Sequence, residues 1–313
     1  MLSRIAESLY WIGRYLERAE DTARLLDVHL QLAVEDPTID PRWAEHLLLR
    51  VMGVPQAADD PDGPDADDQV LRLLCHDPDS PSSIVAALHG ARESARRSRE
   101  TVSIEMWEGI NTTWHEVAAG ALAARRPAAA FRWVRERCAV ITATADGTMT
   151  HDQGWNFLVL GRSLERVDMT ARLVEAAALR GGLAAWTSAL RAGGAHHAFV
   201  RSHHDQDSVP DAAEFLLMNR AFPRSIVHSL DAAIGALDDL DASNHRGLVE
   251  SGPARVLGRA RAELEYRSSP QLLVELPQRM SQLQATCGAA DRAIAALYFD
   301  GAIATQWHGG HAS

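Results

Sequence analysis

The sequence predicts an all-α protein, a multi-helix bundle built from two sequence-related halves with no significant β-sheet. Apolar residues recur at helical spacing along almost the whole chain. Alternating runs rich in β-branched residues, which are typical of strands, are scarce. A third observation is an internal repeat, which indicates that the two halves are related.

The first predicted helix shows the pattern that the others follow. In a projection at about 100° per residue, Ile12, Leu16 and Leu26 fall on one side of this helix. Arg14 and Glu17 fall on the other side, so the helix is amphipathic. The same reasoning predicts helices at about 3–34, 40–52, 68–76, 81–102, 104–124, 128–144, 150–180, 210–220, 223–240, 252–267 and 270–300.

Proline and glycine mark the predicted helix boundaries. Ser80-Pro81 and Phe222-Pro223 place a proline where a first helical turn tolerates it. Glycine is the residue that most often ends a helix, because it accepts a left-handed backbone. The predicted stops are Gly147, Gly181-Gly182 and Gly193-Gly194.

Two segments depart from the helical pattern. Val140 to Thr144 is the only serious strand candidate, and it is short. The acidic stretch at 57–68 has six aspartates and two prolines in twelve residues. That composition is typical of a solvated loop rather than of a metal site.

The internal repeat is the most specific feature of the sequence. Gly13 to Leu25 aligns with Gly161 to Leu173 at an offset of 148, and nine of the thirteen positions are identical. Pro81 to Val85 echoes Pro223 to Val227 at an offset of 142. The period is far longer than the roughly 20 to 50 residues of a solenoid repeat. Two echoes in the same order therefore predict an ancient duplication.

The duplication predicts halves at about 1–147 and 148–300, packed around a pseudo-two-fold axis. Separable domains would carry a polar or Pro/Gly-rich linker between the halves. No such stretch separates them, so the sequence favours one continuous domain over 1–313, with a flexible tail at 301–313.

The charged residues exclude several kinds of chemistry. All 31 of the Lys+Arg residues are arginine, which excludes a Schiff base, a lysine general base and the lysine of a phosphate-binding P-loop. The formal net charge of −11 argues against nucleic acid or an anionic membrane as a partner. No apolar run approaches the roughly 18 to 20 residues needed to span a bilayer.

The cysteines and the N-terminus indicate a cytoplasmic protein. Cys75, Cys138 and Cys287 are far apart and odd in number, as expected in a reducing compartment, and show no zinc-binding pattern. Charged residues such as Arg4 and Glu7 interrupt any secretory leader.

The charges preserved in both copies of the repeat are the candidate binding residues. A partly dehydrated arginine binds a carboxylate or phosphate with two parallel hydrogen bonds. A neighbouring glutamate can hold an ammonium group or accept its proton. Two such pairs facing one cleft suit an anionic or zwitterionic substrate, such as an amino acid or a peptide end. The candidates, none with an assigned catalytic role, are Arg14, Glu17, Arg18, Arg162, Glu165 and Arg166.

Two other interpretations of the repeated charges stay open. They can form a buried Glu–Arg network that pins the two central helices together. They can also lie on plain surface, where a pair such as Glu20 and Arg24 stabilises a helix by roughly 0.3–0.5 kcal/mol.

Other polar residues receive structural interpretations. His151-Asp152 precedes the second repeated helix and is interpreted as a helix start, because an acid there meets the positive end of the helix dipole. The histidines at 196–197 and 203–204 lack the spacing of a zinc motif, so no metal site is predicted. Trp107 is interpreted as a core residue.

Three stretches together resemble a known family. Met1 to Glu20, Arg92 to Asn111 and Gly154 to Leu173 are similar to the alpha-E family, a bacterial all-helical domain named for its Glu-Arg motif. The resemblance covers nearly the whole chain. The acidic stretch and the histidine-rich stretch match no motif of that family.

The resemblance implies a partner. Alpha-E domains are associated with circularly permuted ATP-grasp proteins, sometimes with transglutaminase-like or proteasome-like peptidase neighbours. ATP-grasp enzymes activate a carboxylate as an acyl phosphate and couple it to an amine, so the resemblance implies a two-component amide ligase. ATP and magnesium are then expected on the partner and not on this chain alone, in agreement with the lack of lysine.

The resemblance also implies which residues matter. The motif residues carried over are Glu17, Arg18, Glu165 and Arg166, and the secondary candidates are Arg96, Glu105, Trp107, Glu108 and Trp155. The main alternative is a non-catalytic scaffold or binding module in which the Glu-Arg pairs are a structural network. An autonomous peptide hydrolase is a third possibility, which no G-x-S-x-G motif supports.

Overall fold

In a computed structural model, the described residues are 1–35, 41–54, 66–202, 208–243, 252–268, 271 and 273–300. Within these ranges the regular structure is helical throughout, which confirms the predicted all-α fold. Two π-helical segments, Arg72–His76 and Ala295–Phe299, directly follow α-helices that end at Leu71 and Ile294. The α-helices of this part of the chain, α1 to α13 in order, are Ser3–Glu35, Pro41–Val51, Ala66–Leu71, Ile84–Arg97, Ile104–Ala118, Pro127–Thr148, Gln153–Arg180, Gly182–Ala192, His196–Ser202, Val209–Met218, Ile226–Ser243, Gly252–Glu265 and Leu276–Ile294.

Each half of the chain forms a four-helix bundle. In the first bundle, α1 and α5 each pack against both α4 and α6. In the second bundle, α7 and α12 each pack against both α11 and α13. The bundles meet where α1 packs along α7, so these two long helices form the centre of the molecule.

Helices α6 and α13 occupy matching places in the two bundles. Each buries residues at the same helical spacing. A side chain on α6 therefore takes the place that its counterpart, 149 positions later, takes on α13. The matched buried residues are Phe131, Val134, Cys138, Ile141 and Ala145 on α6, and Met280, Leu283, Cys287, Ala290 and Ile294 on α13.

Glycine allows the backbones of α1 and α7 to touch. A Cβ atom on Gly13 would lie 2.2 Å from the carbonyl oxygen of Leu158. One on Gly161 would lie 2.0 Å from the carbonyl oxygen of Tyr10. Both distances are far below van der Waals contact, so only glycine fits at this crossing.

The two central helices run in the same direction. Leu9 of α1 packs beside Gly154 near the start of α7. Val28 and Ala177, near the ends of the same helices, line one cavity. The parallel arrangement brings equivalent positions of the repeat next to each other.

Several helix ends are built alike in the two halves. The hydroxyls of Ser83 and Ser225 cap α4 and α11, each accepting from a backbone amide and donating to a backbone carbonyl. Gly53 and Gly194 follow α2 and α8 with φ of 69° and 66°, the left-handed backbone that favours glycine. The duplication itself stays a prediction from the sequence.

Some predicted boundaries are wrong. The strand candidate Val140–Thr144 lies inside α6, where Ile141 is buried and Val140 is exposed as helical spacing requires. Pro81 and Pro223 precede the capping serines instead of lying in a first turn.

The prediction also misses α8 and α9. In α8, Ala185, Trp186, Ala189 and Leu190 are buried at helical spacing, but the flanking glycine pairs concealed this signal. The predicted acidic loop is wrong at its end, because residues 66–68 belong to α3. Residues 57–65 and the predicted tail at 301–313 lie outside the described residues. Across the described helices, none is long and apolar enough to cross a membrane.

We expect Gly161→Ala to lower the free energy of unfolding by about 3 kcal/mol or more, because its methyl group would collide with the α1 backbone. Gly235→Ala is the matched control. Gly235 is an exposed helical residue with no described atom within 4 Å of an added Cβ. Alanine there should add about 0.5–1 kcal/mol. Urea unfolding followed by circular dichroism measures both, and a Gly161→Ala variant as stable as the wild type would contradict the close crossing.

Candidate functional site

The repeated charges lie on one face of each central helix. Arg14, Glu17 and Arg18 occupy positions i, i+3 and i+4 of α1 and therefore share a face. Their counterparts share a face of α7 in the same way. Because the helices cross at Gly13 and Gly161, these two faces meet about one turn beyond the crossing.

Glu165 of α7 binds two arginines of α1. Arg14 Nε lies 2.5 Å from Glu165 Oε2, and Arg18 Nε lies 2.6 Å from Oε1. Arg18 Nη2 also donates to Oε2 at 3.0 Å, so this arginine binds the carboxylate with two bonds. The Glu165 side chain is only 1% exposed, and the group is therefore withdrawn from solvent.

Glu17 of α1 binds arginines of the second half in return. Arg166 Nε lies 2.9 Å from Glu17 Oε1, and the Glu17 side chain is 2% exposed. Arg224, from the turn before α11, lies 2.5 Å from the same oxygen. The motif residues thus pair between the two copies, Arg18 with Glu165 and Arg166 with Glu17.

These ion pairs keep both glutamates charged. Burial alone would raise the pKa of Glu165, but Arg18 and Arg14 outweigh burial and lower this pKa to about 2. Burial also opposes the ionisation of Glu17, and Arg224 and Arg166 lower its pKa below the ordinary value. Enclosed carboxylates with lowered pKa values are weak proton acceptors, so the geometry favours an ion-pairing role over that of a general base.

Arg14 and Arg162 differ although the repeat makes them counterparts. Arg14 Nη1 lies 3.2 Å from Asp291 Oδ1 and donates to the Tyr10 hydroxyl at 3.1 Å. Tyr10 in turn donates to Asp291. Arg162 forms no ion pair with a described acid, and its buried Nε has no hydrogen-bond partner in that part of the chain. Its guanidinium carbon lies 5.9 Å from the centre of the Trp155 ring.

Three acids surround Arg224. Besides Glu17, this arginine binds Glu20 at 2.8 Å and also Asp21. Burial raises the pKa of Asp21 to about 7; Arg224 opposes the rise, and the charges of Glu17 and Glu20 reinforce it. The sequence does not predict Arg224 as a site residue, because the weaker echo aligns it with the uncharged Ser82.

Most secondary candidates lie outside this cluster. Arg96 pairs with Glu93 at 3.0 Å on α4, and the Arg96 side chain is exposed. Glu105 and Glu108 are exposed on α5. Trp107 is partly buried against the core, as predicted. Among the described residues, no ion pair or hydrogen bond links these four candidates to the Glu–Arg pairs.

Trp155 lies closer, at the start of α7. The Asp152 carboxylate accepts hydrogen bonds from the amides of Gly154 and Trp155 at 2.8 and 3.4 Å, which confirms the predicted helix start. The His151 ring stacks on the Trp155 ring with their centres 4.0 Å apart. Since Arg162 lies near the same ring, the indole connects this helix start with the arginines.

The described residues offer little to metal or thiol chemistry. Among them, no group of three His, Cys, Asp or Glu side chains is arranged to hold a metal ion. Burial raises the pKa of Cys75 to about 12 and raises those of Cys138 and Cys287 above the ordinary value, so these free thiols stay protonated. Of the four histidines considered for a metal site, His196 and His197 lie in α9, and the pair at 203–204 falls outside the described residues.

A cavity of about 100 Å³ lies between α1, α2, α7 and α8. Its walls are mostly apolar, and Leu25, Leu173 and Trp43 contribute to them. None of the six candidate binding residues lines it. The cavity and the charged cluster are therefore separate features of the molecule.

Fold and site together define a class of all-α protein in which two four-helix bundles are joined by reciprocal Glu–Arg pairs whose glutamates are buried. The family model that matches residues 1–299 is Alpha-E, a predicted alpha-helical domain with a conserved ER motif. The chain belongs to the Alpha-E family.

Three mycobacterial relatives are also similar to the chain. They are uncharacterized proteins of Mycobacterium bovis (strain ATCC BAA-935 / AF2122/97) and of the Mycobacterium tuberculosis strains CDC 1551 / Oshkosh and ATCC 25618 / H37Rv. Each is 27% identical over 321 aligned positions, which cover 90% of this chain and 35% of the relative. The chain thus spans about a third of the length of these curated relatives. No solved structure matches it.

We expect Glu165→Gln to lower the free energy of unfolding by about 3–5 kcal/mol, because the buried Arg14 and the partly buried Arg18 would lose their carboxylate. Glu263→Gln is the matched control, since it removes a carboxylate from an exposed i,i+4 pair with Arg259. The control should cost less than about 0.5 kcal/mol. Urea unfolding gives both values, and equal losses would show that burial adds nothing to the Glu165 pair.

The raised pKa of Asp21 predicts that stability depends on pH. Its pKa rises from an ordinary value of 3.8 to about 7, so the folded protein binds more protons than the unfolded chain between these values. This carboxyl should therefore lower the free energy of unfolding, by up to about 1.4 kcal/mol per pH unit, as pH rises from about 4 to about 7.

Asp21→Asn removes that contribution. Relative to the wild type, the variant should gain stability as pH rises to about 7, and the difference should then level off. Urea unfolding at a series of pH values measures the difference. A difference that stays constant across this window would contradict the raised pKa.

Proposed function

We propose that this chain is the helical component of a two-component ATP-dependent amide ligase. A circularly permuted ATP-grasp protein is its partner, holds ATP and magnesium, and forms the acyl phosphate. The helical chain contributes to the binding site for the amino acid or peptide that accepts the acyl group. Membership in the Alpha-E family supports the proposal, because the sequence resemblance implies this association.

The burial of Glu17 and Glu165 in ion pairs supports the assignment of the chemical step to the partner. Glu17 and Glu165 are 2% and 1% exposed and are already bound to arginines of the same chain. They hold the bundles together and are not placed to attack a substrate. The activation of a carboxylate is therefore assigned to the partner, in agreement with a chain whose 31 Lys+Arg residues include no lysine.

The length of the relatives supports cooperation with another protein. In each of the three, the matched region occupies 35% of a longer chain. In these relatives, the region similar to this chain is thus joined to further sequence. A domain that works with another domain can be part of the same polypeptide or can be a separate protein.

The composition of the chain also bears on where the protein acts and on the kind of partner it binds. The free, buried cysteines support a cytoplasmic location. The net charge of −11 supports a partner other than nucleic acid or an anionic membrane.

A second candidate function is a non-catalytic scaffold that binds its partner without contacting an acceptor. The same burial favours it, because residues that lock the fold need no substrate. The two candidates differ in one measurable property, which is whether the chain makes ATP turnover depend on an acceptor.

We expect the purified chain to stimulate ADP release by its ATP-grasp partner in the presence of magnesium and a suitable amino acid. Matched reactions that lack the helical chain, the partner or the acceptor should show only background release. A stable complex whose rate of ADP release does not change with any acceptor would favour the scaffold. If the two proteins form no complex and the chain does not stimulate ADP release, both candidates are contradicted.

A further inference from the structure

Arg162 carries a positive charge that the described residues leave without a carboxylate partner. Its Nε is buried and has no hydrogen-bond partner among them. Its counterpart Arg14 binds two carboxylates, those of Glu165 and Asp291. A guanidinium nitrogen withdrawn from water without a hydrogen-bond partner is costly, so an anion beside Arg162 would be favoured.

The difference between the two arginines follows two positions, one on α6 and one on α7. Helices α6 and α13 match at an offset of 149, and the counterpart of Asp291 is therefore Thr142. A threonine brings no charge to the place where the other half has an acid. Tyr10, which donates to Asp291, corresponds to the apolar Leu158 at the offset of the main repeat. The second arginine therefore lacks both members of the network that surrounds Arg14.

The charges around Arg162 do not compensate for that loss. Arg166 lies one turn away on the same face of α7, and Glu17 is already shared between Arg166 and Arg224. Asp146 on α6 also acts on Arg162, but it is exposed and forms no ion pair with it. Burial and then Arg166 lower the pKa of Arg162, as expected for a guanidinium short of anions.

We propose that Arg162 is the binding site for a carboxylate on a small molecule or a peptide end. The residue is partly exposed although its Nε is buried, so a ligand can reach the guanidinium. Its planar fork matches a carboxylate with two parallel hydrogen bonds. The buried Trp155 ring lies 5.9 Å from the guanidinium carbon, so it packs beside the arginine itself. Only the further step, that this carboxylate belongs to the acceptor of an amide ligase, rests on the proposed function.

Binding of N-acetylalanine to the purified full chain, measured by isothermal titration calorimetry, tests the site. The uncharged N-acetylalanine amide is the control ligand and should not bind. Arg162→Gln and Thr142→Asp should each weaken N-acetylalanine binding about tenfold or more, because a charged hydrogen-bonded pair is worth at least that much. Arg126→Gln, which removes an exposed arginine, should leave binding unchanged.

Thr142→Asp provides a second readout. It is designed to give Arg162 a carboxylate from within the chain, as Asp291 does for Arg14. It should raise the melting temperature without any ligand, and it stays informative if Arg162→Gln fails to fold. Absent binding of N-acetylalanine, or equal binding by the wild type and Thr142→Asp, would overturn the site. Tighter binding of inorganic phosphate than of N-acetylalanine would overturn the choice of a carboxylate. The measurement uses this chain alone, so an inactive ligase reaction would leave the result unaffected.

Discussion

The backbone contact between α1 and α7 is the constraint on which the rest of the structure depends. Gly13 and Gly161 let the two helices approach so closely that an added Cβ would lie within 2.2 Å of the facing carbonyl oxygen. At that separation, arginines one turn further along reach the glutamates of the opposite helix, as Arg18 reaches Glu165. A larger residue at either glycine would push the helices apart and take these charges out of reach. The relative placement of the two bundles follows, because each packs around one of the crossed helices.

Buried ion pairs are an expensive way to hold two helices together. Removing a carboxylate and a guanidinium from water costs several kcal/mol for each group, and well-packed apolar residues often stabilise a protein as well. An ion pair adds direction, since Glu17 and Glu165 each lie opposite an arginine of the other helix and only some registers of α1 along α7 keep both pairs. Thr22 and Thr170 instead hold α1 and α7 within their own bundles, since they donate to the carbonyls of Ser82 and Arg224 at 3.5 and 2.9 Å. The pairs therefore fix one arrangement of the bundles more than they deepen its stability.

The sequence predicts the parts of this architecture that repeat a pattern over many residues. Long amphipathic helices such as α1 and α7 are predictable because apolar positions recur through eight or nine turns. The contact between Gly13 and Gly161 is not, because a shared glycine in an alignment does not reveal that two backbones touch. Arg224 and Asp291 escape prediction for a related reason: each is one polar residue outside the main repeat, and its partner is set only by the tertiary fold. Sequence similarity thus identifies the central charges, whereas the structure identifies what each charge binds.

The two halves have matching helices, but they differ in the carboxylate partners of one pair of equivalent arginines, Arg14 and Arg162. Around Arg14, Glu165 and Asp291 supply two carboxylates, and Tyr10 completes a closed polar network. Around Arg162, the described residues supply no such carboxylate. If both Glu–Arg copies served only to join the bundles, the closed arrangement would be the more stable choice on both sides, because a buried guanidinium nitrogen without a hydrogen-bond partner costs free energy. Folding alone gives no reason for the open arginine, and the recognition of an anion from outside the chain does.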